Sequence, residues 1–295
     1  MPRTALILYY TRSRNTARVA GIAEKALADC GWEVTRMPLA RAVEKYTPNT
    51  HDLILLGTPV QYWTVPAAAM ALIDQLPDFQ GSYAFVYSCY GGCVTSNVPY
   101  QLGKAMAAKG ATVIGGAQFL TPHSCRVNGK IRLGDLDEKF GKGQPDEKTA
   151  AEFRDAVCRI TQTIESGSAG AVDMKKLKIN TMGILSSVMN PVSPLKMKQK
   201  FMPPVAVDPY ACDGCGACAN VCDTGSIRLN ENKVAQIDQK TCYRCYGCME
   251  VCPNEALTTN WKQAELLVRS MQWLARDAGN VNHSVIVLPD EGAPK

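Results

Sequence analysis

Residues 1–166 alternate short apolar runs with segments whose apolar residues recur at helical spacing. Five runs have the length of buried strands, at residues 4–10, 32–39, 52–58, 82–88 and 111–120. Four segments carry apolar residues spaced for one face of a helix, at residues 15–29, 65–76, 97–109 and 146–165. Strands separated by helices of this length indicate a parallel sheet that is covered by helices on both faces.

Five strands in this arrangement predict an α/β doubly wound fold with the strand order 2-1-3-4-5. In this order the carboxyl ends of the first, third and fourth strands meet at one edge of the sheet, where such folds bind their ligands. The loops that reach this edge are therefore the first place to look for a site.

The loop after the first apolar run is rich in hydroxyl groups and arginine, and it leads directly into the first predicted helix. A helix N-terminus attracts anions because its backbone N–H groups point outward and its dipole is positive there. We therefore expect a phosphate site formed by Thr11, Arg12, Ser13, Arg14, Asn15 and Thr16. The alternative interpretation is an ordinary strand–helix turn without a ligand.

The loops after the third and fourth runs carry aromatic side chains that could contact a flat ring. The earlier loop contributes Thr58, Pro59, Val60, Tyr62 and Trp63. The later loop contributes Ser88, Tyr90, Gly91 and Gly92. A ring joined to a single phosphate, such as FMN, suits three loops of this kind, with Tyr62 or Trp63 on one face and Tyr90 on the other. Core packing is the alternative for each aromatic side chain.

Cysteines dominate the C-terminal part of the chain, where eight of the thirteen fall between residues 212 and 252. The first apolar run is interpreted as a buried strand rather than a signal peptide, so we expect a reducing compartment in which such clustering indicates metal ligation rather than a disulfide framework. Two runs share the spacing C-x2-C-x2-C-x3-C, at Cys212, Cys215, Cys218 and Cys222, and at Cys242, Cys245, Cys248 and Cys252. Structural zinc is the alternative, but zinc ribbons use two cysteine pairs separated by a longer loop.

The spacing of these runs is that of bacterial ferredoxins, in which the fourth cysteine of each run binds the other 4Fe–4S cluster. We therefore expect one cluster on Cys212, Cys215, Cys218 and Cys252. The other cluster is expected on Cys242, Cys245, Cys248 and Cys222. The sequence around the cysteines also repeats at the interval that separates the two runs, with Asp208 matching Asp238 and strand-like residues 205–207 matching 235–237. This segment resembles the two-cluster bacterial ferredoxin domain, a small α+β unit.

Residues 4–166 resemble a flavodoxin domain, whose phosphate loop reads roughly Ser/Thr-x-Thr/Ser-Gly-Asn-Thr. Thr11, Ser13, Asn15 and Thr16 match this pattern, whereas Arg14 stands where flavodoxins have glycine. The resemblance implies that these residues surround the phosphate of FMN. Over residues 4–258 the chain resembles flavodoxin–ferredoxin fusion proteins. Because of Arg14, a flavin-free docking module remains an alternative for the N-terminal part.

The domain organisation predicted from these patterns has four parts. They are a flavodoxin-like FMN domain at 1–166, a basic linker rich in Met and Lys at 167–203, a two-cluster ferredoxin domain at 204–260, and a C-terminal helix and tail at 261–295. The six lysines and one aspartate of residues 171–203 account for the formal net charge of +5. We therefore expect no nucleic-acid groove, and no apolar run approaches the roughly 18 residues of a membrane span.

The sequence thus predicts a cytoplasmic electron-transfer protein that contains FMN and two 4Fe–4S clusters. Its expected partners are soluble redox proteins, either a ferredoxin-type donor or a partner oxidoreductase, and not nucleic acid or a membrane. The alternative is an FMN-dependent reductase of a small molecule such as a quinone, oxygen or a metal ion. No catalytic acid or nucleophile set stands out, which favours the carrier.

Overall fold

The computed structural model of the chain describes residues 3–12, 14–47, 51–61, 64–92, 97–122, 141–179, 199, 202–222, 224–260 and 283–289. These residues form two compact units. The first unit contains the described residues up to 179 together with residues 283–289. The second unit contains residues 199, 202–222 and 224–260.

The first unit is built on a parallel sheet. Its parallel strands are β1 (Thr4–Tyr9), β2 (Glu33–Pro38), β3 (Leu53–Pro59), β4 (Tyr83–Tyr90) and β5 (Thr112–Leu120). The strands pair in the order β2-β1-β3-β4-β5, which confirms the predicted order 2-1-3-4-5. The helices are α1 (Asn15–Asp29), α2 (Leu39–Lys45), α3 (Ala67–Gln75), α4 (Val98–Ala108) and α5 (Glu147–Glu165).

The central strands are apolar over most of their length because both faces of the sheet are covered. Successive side chains point to opposite faces, so Leu6 and Leu8 join one core while Ala5 and Ile7 join the other. Buried residues of α2, α3 and α4 complete the first core, and those of α1 and α5 complete the second. Helix α2 was not predicted, since only its Leu39 and Ala42 are buried and seven residues show little periodicity.

The second unit repeats its backbone at the interval that separates the two cysteine runs. Its elements are β6 (Val205–Val207), α6 (Ala217–Asn220), β7 (Ile227–Leu229), β8 (Ala235–Ile237), α7 (Gly247–Val251) and β9 (Leu257–Thr259). Strand β6 pairs antiparallel with β9, and β7 pairs antiparallel with β8. Left-handed backbone conformations recur at the same interval, at Gly214, Gly216 and Gly225 and again at Arg244, Tyr246 and Glu255. The predicted duplication is therefore present in the backbone as well as in the cysteine spacing.

A sixth strand, β10 (Val285–Val287), pairs antiparallel with β5 and covers the edge of the large sheet. Two further hydrogen bonds fix its start. The hydroxyl of Tyr90 donates to the carbonyl of His283 over 3.0 Å, and the N–H of Leu120 donates to Ser284 Oγ over 3.1 Å. The sequence predicted only a helix and tail for residues 261–295, because a three-residue strand leaves too short a pattern to recognise.

The segment after α5 also belongs to the first unit. The N–H of Val172 donates to the carbonyl of Val113 over 2.8 Å, and Leu177, in a 3-10 helix at Met174–Leu177, is fully buried. The structure thus places residues up to 179 in the first unit, whereas the sequence predicted a linker from residue 167. Residues 180–198 of that linker and the predicted helix at 261–278 lie outside the described residues. In the described part of the chain, no helix combines the length and apolar character that crossing a membrane requires.

Candidate functional site

The loop that precedes α1 places its arginine, Arg14, in a conformation that glycine favours. Arg14 adopts the left-handed conformation, with φ 63° and ψ −7°, at the N-cap position of α1. Its carbonyl accepts the first helical hydrogen bond, from the N–H of Arg18, over 2.9 Å. The Arg14 side chain is exposed, and no side chain caps this end of the helix. The N-terminus of α1 therefore lies beside a cation and carries no competing carboxylate in its first turn.

Polar groups of this loop divide into those that hold the fold and those available for a ligand. The Asn15 amide donates to the carbonyl of Pro122 over 2.7 Å, so this group ties α1 to the end of β5. The Nε of Arg12 donates to the hydroxyl of Tyr10 over 3.2 Å. Thr11 Oγ1 is buried and has no hydrogen-bond partner among the described residues. Thr16 is buried, and Ser13 lies outside the described residues.

Two more buried hydroxyls lie at the carboxyl ends of the neighbouring strands. Thr58 on β3 and Ser88 on β4 are paired in the sheet register, and both residues are fully buried. In the described part of the chain, neither side-chain oxygen has a hydrogen-bond partner. A buried polar group without a partner costs about 1–3 kcal/mol, and such groups in a native fold indicate a site for a ligand or water. Together with Thr11, three hydroxyls of this kind lie at or just after the carboxyl ends of β1, β3 and β4.

The loop after β3 is held in place from α4. Gln61 and Thr64 exchange backbone hydrogen bonds of 3.0 and 3.3 Å, and Gln101 Oε1 accepts from Thr64 Oγ1 and the N–H of Val65 over 3.1 and 3.0 Å. Tyr62 and Trp63, the expected ring-contacting residues, stand between Gln61 and Thr64 and lie outside the described residues. Pro59 and Val60 are half-buried, and the N–H of Val60 donates to the carbonyl of Cys89 over 2.7 Å.

Gly57 and Tyr87, which the sequence did not single out, fix α1 against the sheet. A Cβ on Gly57 would lie 2.0 Å from Tyr87 Cζ, so only glycine leaves room for this ring. The hydroxyl of Tyr87 donates to the carbonyl of Thr16 over 3.4 Å, and burial raises the pKa of Tyr87 well above its usual value. The neighbouring Cys89 is also buried, which raises the pKa of its thiol to about 12 and keeps it protonated.

Tyr90 differs from the expectation that its ring faces a ligand. The residue is only 3% exposed, and its hydroxyl is hydrogen-bonded to the C-terminal segment that contains β10. The sequence could not reveal this contact, because Tyr90 and His283 are separated by 193 positions. Gly91 and Gly92, which follow in the same loop, are half-buried, and Gly92 has a φ of 84°.

The eight clustered cysteines of the second unit form two neighbouring groups. Burial raises the pKa of Cys218, and the thiolates of Cys212 and Cys252 raise it further. Burial likewise raises the pKa of Cys242, with contributions from Cys245 and Cys222. Cys218 of the first run is thus near Cys252, the last cysteine of the second run. Cys242 of the second run is near Cys222, the last cysteine of the first run. Each of these two cysteines therefore interacts both with a cysteine of its own run and with a cysteine of the other run.

Backbone and side-chain donors surround the last cysteine of each run. The N–H of Ala256 donates to Cys252 Sγ over 3.3 Å. Burial acts to raise the pKa of Cys222, but hydrogen bonds from Thr224, Ser226 and Ile227 lower it below its usual value. Such donors favour the deprotonated sulfur that an iron–sulfur cluster requires. No group of three or more His, Cys, Asp or Glu side chains in the described ranges is placed to hold a single metal ion.

Residues 211–256 match the family model of the 4Fe-4S dicluster domain. A ferredoxin-like protein in the vnf region of Azotobacter chroococcum mcd 1 is 41% identical over 54 residues, which are 17% of this chain and 82% of that protein. Through this domain, the chain belongs to the two-cluster ferredoxins. The ferredoxin domain therefore carries two 4Fe–4S clusters.

A larger relative shares only this ferredoxin domain. The beta subunit of adenylylsulfate reductase from Megalodesulfovibrio gigas is 34% identical over 62 residues, which are 19% of this chain and 37% of that protein. For the first unit, oxidised flavodoxin 2 from Bacillus cereus is 16% identical with a TM-score of 0.41, and the match covers 53% of this chain and 98% of that one. The strand order of the parallel sheet assigns the first unit to the flavodoxin-like fold.

Proposed function

We propose that this protein passes electrons between its two 4Fe–4S clusters and an FMN held by the flavodoxin-like unit. In this role it links a low-potential one-electron carrier, such as a ferredoxin-type donor, to a partner oxidoreductase. When bound, clusters exchange single electrons, whereas the flavin accepts or delivers one or two. The contribution of the chain is to bind these groups and to set their potentials through hydrogen bonds, charge and burial.

The observation that carries the flavin half of the proposal is the set of three buried hydroxyls, on Thr11, Thr58 and Ser88, that have no partner among the described residues. They lie at or just after the carboxyl ends of β1, β3 and β4, the edge at which doubly wound folds bind their ligands. A ligand that supplies hydrogen bonds to them would remove the cost of burying them unpaired. These residues therefore fit a polar, ring-bearing ligand at this edge.

The phosphate end of the ligand is assigned to the loop before α1. There Thr11 Oγ1, the N-terminal N–H groups of α1 and the exposed guanidinium of Arg14 supply donors and positive charge. The left-handed conformation of Arg14 supports binding over the flavin-free docking module, because the arginine adopts a backbone conformation that glycine reaches most easily.

The cluster ligands are assigned crosswise between the two runs. One set is Cys212, Cys215, Cys218 and Cys252, and the other is Cys242, Cys245, Cys248 and Cys222. The electrostatic neighbours of Cys218 and Cys242 support this assignment, because each includes the last cysteine of the other run.

The composition of the anaerobically purified protein tests the proposal directly. We expect about eight iron and eight sulfide ions per chain, the content of two 4Fe–4S clusters, together with one acid-released FMN. The full iron content without flavin, even after incubation with FMN, would contradict the proposed role of the first unit. Steady turnover with a quinone, oxygen or a metal ion in the absence of any protein acceptor would instead favour a reductase.

The substitution Thr58→Val tests the flavin site itself. It removes one buried hydroxyl with little change in volume, and we expect FMN to bind about fivefold to tenfold more weakly, the effect of losing one hydrogen bond of roughly 1–1.5 kcal/mol. The quenching of FMN fluorescence on titration measures this affinity. Thr112→Val is the matched control, since Thr112 is exposed at the opposite end of the sheet. Equal affinities of the two variants for FMN would show that Thr58 does not contribute to the flavin site.

A further inference from the structure

Two hydroxyl groups follow Cys222 and form a short chain of contacts that ends on its sulfur. Thr224 Oγ1 lies 3.4 Å from Cys222 Sγ and 2.6 Å from Ser226 Oγ. Ser226 is buried, at 3% exposure, whereas Thr224 is exposed. The orientation of these hydroxyl groups decides what they do to the sulfur.

The chemistry of a cluster ligand fixes that orientation. A cysteine that binds iron is a thiolate, and a thiolate only accepts hydrogen bonds. The Thr224 hydroxyl must then donate to Cys222 Sγ, and its oxygen accepts from the hydroxyl of Ser226. Hydrogen bonds that follow one another in this way polarise and strengthen each other.

The other repeat lacks this pair of hydroxyl groups. When the two cysteine runs are aligned, Cys222 corresponds to Cys252, Thr224 to Asn254 and Ser226 to Ala256. The Asn254 side chain is hydrogen-bonded to Asp213, and Ala256 has no side-chain donor. Cys252 Sγ accepts the N–H of Ala256 over 3.3 Å, and Cys222 likewise receives backbone N–H donors. The hydroxyl pair at Cys222 is replaced by Asn254 and Ala256 in the other repeat.

We propose that the Thr224–Ser226 hydroxyl pair raises the reduction potential of the cluster bound through Cys222 and thereby makes the two clusters unequal. The inference rests on the proposed ligand role of Cys222. Reduction adds negative charge to a cluster and its thiolates, so a donor to one of these sulfurs stabilises the reduced form more than the oxidised form. Thr224 acts on the sulfur directly, and Ser226 is a positioning residue that orients the threonine.

The pair is open to solvent on one side, which supplies a spectroscopic signature. Thr224 and Ser226 line a groove of about 740 Å³ that also includes Arg228 and Asp238. The proton between Thr224 and Cys222 should therefore exchange in D₂O. Its coupling to the reduced cluster should disappear from the proton ENDOR spectrum after exchange and should be absent from Thr224→Val.

Potentiometric titration of the full chain, followed by EPR, tests the effect on the potential. With Thr224→Val we expect the reduced-to-oxidised ratio of one cluster at a fixed potential to fall severalfold, where a tenfold fall corresponds to about 59 mV for a one-electron couple. Ser226→Ala, which installs the residue of the other repeat, should cause a smaller fall. Thr224→Ser keeps the hydroxyl and should restore the wild-type ratio. Thr258→Val, the same exchange at an exposed position of β9, is the control.

An unchanged ratio in Thr224→Val, in protein that retains about eight irons, would overturn the inference. Cys222→Ala separates this failure from a failure of the proposed ligand set. If Cys222→Ala alters the EPR signal of one cluster while Thr224→Val shifts nothing, the ligand set stands and the tuning role is wrong. If Cys222→Ala leaves both cluster signals unchanged, Cys222 is not a ligand and both ideas are wrong.

Discussion

The left-handed backbone of Arg14 shows how a single residue keeps a loop shape at an energetic cost. Residues other than glycine pay roughly 1–2 kcal/mol for this conformation, because Cβ approaches the neighbouring carbonyl. Arg14 holds it at the N-cap of α1, with φ 63°. The arginine therefore combines the loop geometry expected for glycine with a positive charge beside the helix N-terminus.

Substitutions of Arg14 separate these two contributions. Arg14→Gly and Arg14→Ala both remove the charge, but only glycine relieves the backbone strain. We expect the glycine variant to exceed the alanine variant by about 1 kcal/mol in the free energy of unfolding of the flavodoxin-like unit. Both variants should bind FMN more weakly than the wild type, and by a similar factor. Denaturant titration and FMN fluorescence measure the two effects, and equal stability of the two variants would show that Arg14 is unstrained.

The site residues also show which side-chain contacts can be predicted from the sequence and which cannot. Thr11, Thr58 and Ser88 were predicted from their positions after strand ends, and the structure finds all three hydroxyls buried without partners in its described ranges. Asn15 was predicted for the phosphate, yet its amide donates to the carbonyl of Pro122. A backbone carbonyl far along the chain leaves no trace in composition or spacing, so this contact could not be predicted.

At the scale of elements, the C-terminal strand is the feature that pattern reading missed. Strand β10 covers β5, which would otherwise expose its backbone groups along the edge of the sheet. The same segment buries Tyr90 through the bond to His283, at the end of β4. Strand β10 thus protects the edge of the sheet and bounds the candidate flavin crevice.

The contact between Ser284 and the end of β5 gives a test of this role. In Ser284→Ala, the N–H of Leu120 loses its acceptor, and we expect a loss of about 1–2 kcal/mol in the free energy of unfolding of the first unit. The Leu120 amide should also exchange its hydrogen faster. Ser168→Ala, at an exposed position after α5, should show neither change. Wild-type exchange at Leu120 in Ser284→Ala would mean that β10 does not depend on this bond.

The elements of the parallel sheet, by contrast, were predictable to within about two residues at each end. Each central strand is covered on both faces, so its apolar run and the strand coincide, as for β1 and β3. Helix α1 begins and ends where its apolar periodicity does, at residues 15 and 29. Helix α2 and β10 are too short for periodicity to accumulate, and their positions depend on what they cover.

At the scale of the whole molecule, the ferredoxin domain is inserted in the sequence of the flavodoxin-like unit. The described residues up to 179 belong to the first unit, and residues 283–289 belong to it again and include a strand of its sheet. Residues 202–222 and 224–260 form the second unit between these points. The covalent connection at both ends of the ferredoxin domain keeps the effective concentration of one unit for the other high, which suits the proposed transfer of electrons within one chain.

Removal of iron tests whether the two units are independent. Reduction followed by a strong chelator should abolish the visible absorbance of the clusters. It should also unfold the ferredoxin domain, because its cysteines are then no longer held together by the clusters. The flavodoxin-like unit has its own cores on both faces of the sheet, so we expect its affinity for FMN to change by less than about twofold. Chelator added without reductant is the control. Release of FMN together with iron would instead mean that the two sites are coupled.

The sequence by itself determined the features that depend on local spacing. The cysteine runs and their duplication, the five parallel strands and the loop before α1 all follow from periodicity or motif, because neighbouring residues in the chain produce them. Only the tertiary structure decided that residues 283–289 join the first sheet, that Tyr90 is hydrogen-bonded to this segment, and that the Thr224 hydroxyl contacts Cys222 Sγ. These outcomes depend on which distant groups come into contact, and that is settled by packing rather than by local pattern.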